Sequence, residues 1–197
     1  MNSTERDPSV LLGVSTSLKP GPGRPGRSAT RALLTVALEA VRQVTPHVRI
    51  LDLREQQLPF FDGRQSCEYD DPVVERVWSE VNQAGSLLLS VPCYWAGVSG
   101  VFKNFIDVLC GPAYDFRDGT TTVFAGKPIG CLVVGADVAS AEAGVAQVQQ
   151  ILLSTGARLV GEPVVVANPR AHRVDMKIGD LIALAAGLAR CAIAHSK

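Results

Sequence analysis

The chain has 197 residues, 47% of them hydrophobic and 19% charged, with Lys plus Arg balancing Asp plus Glu at 19 each. Such a length can bury a full core in one domain, and such a composition excludes a disordered chain. A formal net charge of zero, with no long Lys/Arg run, leaves nucleic acid or an anionic membrane no electrostatic footing and favours a small-molecule partner.

No stretch reaches the roughly 20 apolar residues that span a bilayer. Residues Met1 to Ser9 carry Glu5, Arg6 and Asp7 and lack the apolar centre of a signal peptide. The expectation is one cytoplasmic domain over 10–197 behind a loosely held 1–9. Five scattered cysteines (Cys67, Cys93, Cys110, Cys131, Cys191) read as reduced thiols, not a disulfide scaffold. Without a Cys-x-x-Cys pair or clustered histidines, a zinc site or a four-cysteine iron–sulfur cluster is not expected.

In chain order, the first apolar run is Val10–Ser15, followed by a helical pattern over Ser28–Val44 with Leu34, Ala37, Leu38 and Val41 on one face. A second run, Val48–Leu53, precedes a helix over Pro72–Gln83, with proline in its first turn and Val74, Val77 and Val81 together. The third run, Ser86–Val91, leads to a helix over Ser99–Leu109, and the fourth, Ile129–Val134, to one over Ala141–Thr155. A fifth run, Pro163–Ala167, precedes Asp175–Ile193, the cleanest amphipathic pattern in the chain. Runs one, three and four are continuously apolar, as strands buried on both faces are. Five alternating β–α units predict an α/β fold, a parallel sheet with helices on both faces. Ligands of such sheets bind beyond the carboxyl ends of the strands, which directs attention to the loops after Ser15, Val91 and Val134.

The first loop reads Ser15-Thr16-Ser17-Leu18-Lys19, a Pro/Gly stretch over Pro20–Gly26, then Arg27-Ser28-Ala29-Thr30. Hydroxyls beside a helix N-terminus suit a monophosphate, with Lys19, Arg24 and Arg27 adding charge; the same residues also suit a plain helix cap and a solvated turn. Gly21, Gly23 and Gly26 match G-x-G-x-x-G, but six residues separate Gly21 from Val14 and prolines interrupt the motif. The match is coincidental, since a dinucleotide fingerprint starts at the strand and opens the helix.

The second loop, Pro92-Cys93-Tyr94-Trp95-Ala96-Gly97-Val98-Ser99-Gly100, sets two aromatics among small residues. It suits either a flat heteroaromatic ring or a hydrophobic lid over the sheet. Cys93 beside it reads as a ligand contact or, more commonly for a free cysteine, a small buried hydrophobe. The third loop, Val134-Gly135-Ala136-Asp137, is free of bulk, as a close ligand approach or a tight turn requires.

Taken together the loops resemble the NAD(P)H-dependent FMN reductase family of flavodoxin-like proteins. Ser15–Lys19 with Arg27–Thr30 looks like the family's Gly-Ser-Leu-Arg…Ser-x-Asn/Thr phosphate loop. Pro92 to Asp107, through Lys103 and Asn104, looks like its Pro-x-Tyr-x-x-x-x-Pro-Gly-x-Leu-Lys-Asn-x-Ile-Asp segment. The resemblance covers about Val10 to Gly135. It departs at Thr16, where the family usually has glycine, at Lys19 (arginine), at Ser99 (proline), and in the longer Pro/Gly loop.

The resemblance implies a flavodoxin-like three-layer sandwich with a five-stranded parallel sheet of order 2-1-3-4-5. It implies FMN as cofactor, with Ser15, Ser17, Lys19, Arg27, Ser28 and Thr30 around the phosphate. Pro92, Cys93, Tyr94, Trp95, Ala96 and Gly97 would line the ribityl chain and ring, with Gly135 and Ala136 at the ring's polar edge. Lys103, Asn104 and Asp107 would fix the helix to the loop. The implied chemistry is hydride transfer from NADPH or NADH to FMN and on to a small acceptor such as a free flavin or quinone. It needs no catalytic side chain and no metal. It also implies a homodimer or homotetramer, with Tyr114 and Phe116 reaching a neighbouring subunit. The alternatives are a flavodoxin-type electron carrier or a flavin-binding partner of a monooxygenase. Against the carrier, the first loop lacks Thr-x-Thr-Gly-x-Thr and the composition is not acidic.

Overall fold

Apolar runs too hydrophobic for one solvated face become the central strands of a single sheet. The structure, a computed structural model, describes residues 7–20, 28–43, 47–112, 122–168 and 175–194. The first half runs β1 (Asp7–Ser15), α1 (Ala29–Val41), β2 (Val48–Asp52), α2 (Pro72–Gln83), β3 (Ala84–Tyr94), β4 (Gly97–Val98) and α3 (Gly100–Cys110). The second half runs β5 (Pro128–Gly135), α4 (Val138–Ser154), β6 (Arg158–Leu159), β7 (Val164–Ala167) and α5 (Asp175–Ala194).

The parallel strands lie in the order β2-β1-β3-β5, with β6 and β7 both on the outer edge of β5. Counting that edge as one strand gives the expected 2-1-3-4-5. The edge is in two pieces because Gly161 turns left-handed (φ 66°) and Pro163 has no N–H to offer the ladder.

Alternation along β1 divides the core. Val10, Leu12 and Val14 pack with Val77 and Val81 of α2, Phe102 and Phe105 of α3, and Val148 and Leu152 of α4. Leu11 faces the other way, with Leu34 and Leu38 of α1 and Leu181, Ala185 and Leu188 of α5. Helices therefore cover both faces, three on one and two on the other.

Several boundaries differ from the sequence reading, two of them at the functional end. α4 starts three residues earlier than expected, because Asp137 caps it by accepting the Ser140 N–H at 2.7 Å. α1 ends at Val41, not Val44. β3 does not stop at Val91 but runs through Pro92 to Tyr94. The Ser90 carbonyl points towards β1, and Pro92, two residues on, points to the same side, where β1 has already ended. The missing proline N–H therefore costs no ladder bond, and its carbonyl accepts the Ser99 N–H at 3.0 Å.

Gly13 sets how closely α1 approaches the sheet: a Cβ there would stand 2.3 Å from Leu38 Cδ1, inside the fully buried layer. Gly13→Ala is expected to destabilise the fold by about 1–3 kcal/mol in urea denaturation. Unchanged stability would mean that α1 yields without cost.

Candidate functional site

At the carboxyl end of the sheet, the loops after β1 and β3 are tied to each other by hydroxyl groups. Thr16 donates to the Ser90 carbonyl twice, through its N–H at 3.1 Å and its Oγ1 at 3.0 Å. Ser99 Oγ donates to the Thr16 carbonyl at 3.2 Å and accepts the Phe102 N–H at 3.2 Å, capping α3. Thr16 Oγ1 and Ser99 Oγ themselves stand 3.5 Å apart. Thr16 and Ser99 are two of the positions where the sequence departs from the FMN reductase pattern, and the departures meet in space.

The hydroxyl cluster at α1 is equally closed in. Ser28 Oγ caps α1 by accepting the Arg31 N–H at 3.2 Å, and it lies 2.8 Å from Thr30 Oγ1. Ser90 Oγ donates to the Thr30 carbonyl at 2.9 Å, linking β3 to the helix start. The Ser28 N–H donates to the Pro20 carbonyl at 2.9 Å, so the two ends of the Pro/Gly loop are joined at its base. Residues 21–27, including Arg24, Arg27 and the three glycines, lie outside the described residues, as do Tyr114 and Phe116.

Ser15, at the end of β1, is fully buried and its Oγ has no hydrogen-bond partner among the described residues. A buried hydroxyl left unpaired costs free energy, and such groups mark sites that a ligand or water satisfies. The first amides of α1 likewise have no acceptor within the helix. Nearby, Arg31 pairs with Asp52 at the end of β2, both side chains largely buried, so that guanidinium charge is already matched. These features fit a monophosphate held by hydroxyls and a helix N-terminus.

Beside this cluster opens a groove of about 470 Å³, lined by Thr16, Leu18, Lys19, Phe60, Tyr94, Ser99, Gly100 and Val101. Leu18, Phe60 and Tyr94 are all exposed there, an apolar surface that globular proteins usually cover. Lys19 Nζ sits 5.5 Å above the Tyr94 ring, and Ser17 Oγ accepts the Lys19 N–H at 3.3 Å. Burial holds the Tyr94 phenol above its ordinary pKa.

Phe60 was not among the residues singled out from the sequence. It comes from the loop after β2, which Asn104 holds by accepting the Phe61 N–H at 2.9 Å and donating to the Pro59 carbonyl at 2.8 Å. Asn104 thus anchors the loop after β2, not the loop after β3. The apolar run Leu58-Pro59-Phe60-Phe61 in a polar stretch was the available signal. Lys103 and Asp107 pair with each other across one helical turn at 2.6 Å.

Beyond Tyr94 the chain reverses in two residues, with Tyr94 paired to Gly97 and Cys93 to Val98. Trp95 (φ 54°) and Ala96 (φ 58°) are both left-handed, a conformation costing about 1–2 kcal/mol for each residue with a Cβ. Trp95 is fully exposed. Cys93 points the opposite way, into α4, where an added Cβ on Gly144 would stand 2.0 Å from its Sγ. Burial pushes the Cys93 thiol up to about 11, so it is a small core residue and not a nucleophile.

The third loop also serves packing. A Cβ on Gly135 would lie 2.7 Å from the Ala141 N, so the bare backbone there lets α4 pack against the strand end. Gly135 and Ala136 lie outside the groove lining.

Of the residues proposed from sequence, Lys19 and Tyr94 line the groove directly. Ser15, Ser17, Ser28, Thr30 and Pro92 are buried and do not line it, while Trp95 and Ala96 are exposed and Gly97 is half-buried. Among the described residues no cluster of His, Cys, Asp and Glu is fit to hold a metal ion. No helix there is long and apolar enough to cross a membrane.

Sheet order, helix layers and a site at the strand ends define a flavodoxin-like α/β protein. Residues 11–171 match the family described as NADPH-dependent FMN reductase, and the chain belongs to that family. An NAD(P)H-dependent FAD/FMN reductase of Geobacillus thermodenitrificans is 28% identical over 101 residues, half of each chain. An iron-sulfur flavoprotein of Archaeoglobus fulgidus is 26% identical over 91 residues, 43% of this chain and 44% of that one. The matched region thus spans about half the length of these curated relatives.

Among solved structures, an oxidoreductase from Corynebacterium diphtheriae superposes with a TM-score of 0.69 at 17% identity, covering 98% of this chain and 99% of that one. An NADH:FMN oxidoreductase in its apo form gives 0.67 at 18% identity, covering 94% and 89%. At such identities the likeness is one of fold.

Contact between Thr16 and Ser99 makes their effects interdependent. Thr16→Val and Ser99→Ala are each expected to cost about 1–2 kcal/mol in urea denaturation. The double variant is expected to cost less than their sum by about 0.5–1 kcal/mol. Strict additivity would show the contact to be energetically empty.

Proposed function

We propose that this protein binds FMN at the carboxyl end of its sheet and reduces it with NADPH or NADH, passing the electrons to a small acceptor. The observation that carries the reading is the buried, unpartnered Ser15 Oγ in a hydroxyl cluster at the start of α1, beside an apolar groove. In this reading Ser15, Ser17, Ser28 and Thr30, with Lys19 and Arg27, hold the phosphate. Tyr94, Trp95, Ala96 and Gly97 hold the ribityl chain and ring, with Leu18 and Phe60 adding apolar surface. Pro92 and Cys93 act from beneath, through the shape of the hairpin, and Gly135 with Ala136 borders the polar edge.

When bound, FMN supplies hydride acceptance from a nicotinamide and hydride donation to an acceptor. The protein's part is to orient the ring, exclude water from one face and leave the other open. An open groove with exposed aromatic surface suits a nicotinamide or a flat acceptor arriving in turn. Reductases of FMN and FAD, and azoreductases, stand among the similar proteins, which supports flavins, quinones and azo compounds as the acceptor class. A cytoplasmic homodimer or homotetramer completes the proposal.

The test is anaerobic. Purified protein loaded with FMN is expected to lose its flavin absorbance on addition of NADPH or NADH alone, and to regain it when a quinone is added. Bound FMN that neither nucleotide bleaches would overturn the enzyme reading in favour of an electron carrier. Protein that binds no FMN would overturn both.

A further inference from the structure

The hairpin at Tyr94–Gly97 is of a kind that its own residues do not favour. A two-residue reversal with both central residues left-handed is normally built from Asn-Gly, Asp-Gly or Gly-Gly. Trp95 and Ala96 have side chains that disfavour it, yet they adopt φ 54° and 58°. Strain of this kind persists only where the surroundings over-determine the backbone.

Those surroundings are on α4. Gln147 Nε2 donates to the Ala96 carbonyl at 2.9 Å, and Gln147 Oε1 accepts the Val98 N–H at 3.3 Å. One side chain therefore brackets the turn with both ends of its amide. Gln147 Oε1 also stands 3.8 Å from where a Gly97 Cβ would lie, so the return strand presses close to it. One helical turn earlier, Gly144 leaves the notch that Cys93 fills. The chemistry is specific to an amide: a carboxylate has no donor for Ala96, and an ammonium has no acceptor for Val98.

We propose that Gln147 is a positioning residue for the cofactor-holding turn, fixing the left-handed Trp95–Ala96 backbone so that Tyr94 and Trp95 are presented to the ligand in one geometry. The inference rests on the FMN reading above. It assigns to α4, remote from the phosphate cluster, part of the affinity for the ring.

If loss of the clamp leaves the turn in its binding geometry about a tenth of the time, the apparent Kd rises roughly tenfold. Gln147→Leu keeps the bulk and removes both hydrogen bonds. It is expected to raise the FMN Kd roughly tenfold, measured by flavin fluorescence quenching. Hydrogen exchange at the Val98 amide, read without FMN, is expected to accelerate. The decisive variant adds Ala96→Gly to Gln147→Leu, since glycine adopts the left-handed conformation without steric cost. FMN affinity should return towards the parent value in that double variant, although the Val98 amide stays unprotected.

Parent-like Kd and exchange in Gln147→Leu would overturn the inference. So would weakened binding that Ala96→Gly does not rescue, because Gln147 would then act through the packing of α4. A parent protein that binds no FMN would instead overturn the functional reading, while the exchange measurement still reports whether Gln147 holds the turn.

Discussion

Where β1 ends at Ser15, the Ser90 carbonyl of β3 has no strand residue beside it, and the loop that follows must satisfy it. Thr16 does so for β3 by giving both its N–H and its hydroxyl to the Ser90 carbonyl. Ser99 does so for Thr16 and, with the same oxygen, caps α3. The loop after β1, the hairpin after β3 and the start of α3 are therefore positioned against one another by two hydroxyl groups. Every lining residue of the groove, apart from Phe60, belongs to one of those segments.

That arrangement explains how an unusual loop sequence coexists with a familiar fold. A threonine where glycine is usual adds a side chain at a crowded strand end, and a serine where proline is usual supplies the partner that accommodates it. The Pro/Gly stretch is tolerated for a related reason. Its ends are joined by the bond from the Ser28 N–H to the Pro20 carbonyl. Loop extensions closed at their base cost little once the closure exists.

The sheet and its layers were legible because their signal is local. A strand buried on both faces is a continuous apolar run, and each covering helix shows its stripe. Ser28 as a cap and Tyr94 as a groove wall were legible from type and position. What was not legible depends on contacts between distant segments. Cys93 is buried, as a free cysteine commonly is, but its neighbour Gly144, 51 positions on, follows only from β3 continuing past Pro92 and turning that side chain into α4. Gly135 leaves room for Ala141, a contact between strand end and helix that its own loop does not announce. Phe60 reaches the groove on a loop that Asn104, 43 positions from Phe61, helps to hold, and the Thr16–Ser99 contact joins residues 83 positions apart. No periodicity or motif carries such pairings.

We propose the hydroxyl cluster at α1, with its unpartnered Ser15 Oγ, as the phosphate site that serves the groove. Comparing FMN with riboflavin tests it most directly, since the two share a ring and differ only in the phosphate. Isothermal calorimetry is expected to give FMN at least about 100-fold tighter binding, or about 2.7 kcal/mol, as charge-assisted hydrogen bonds to a phosphate supply. Equal affinity for the two would contradict it and move the ligand's anchor away from the end of β1.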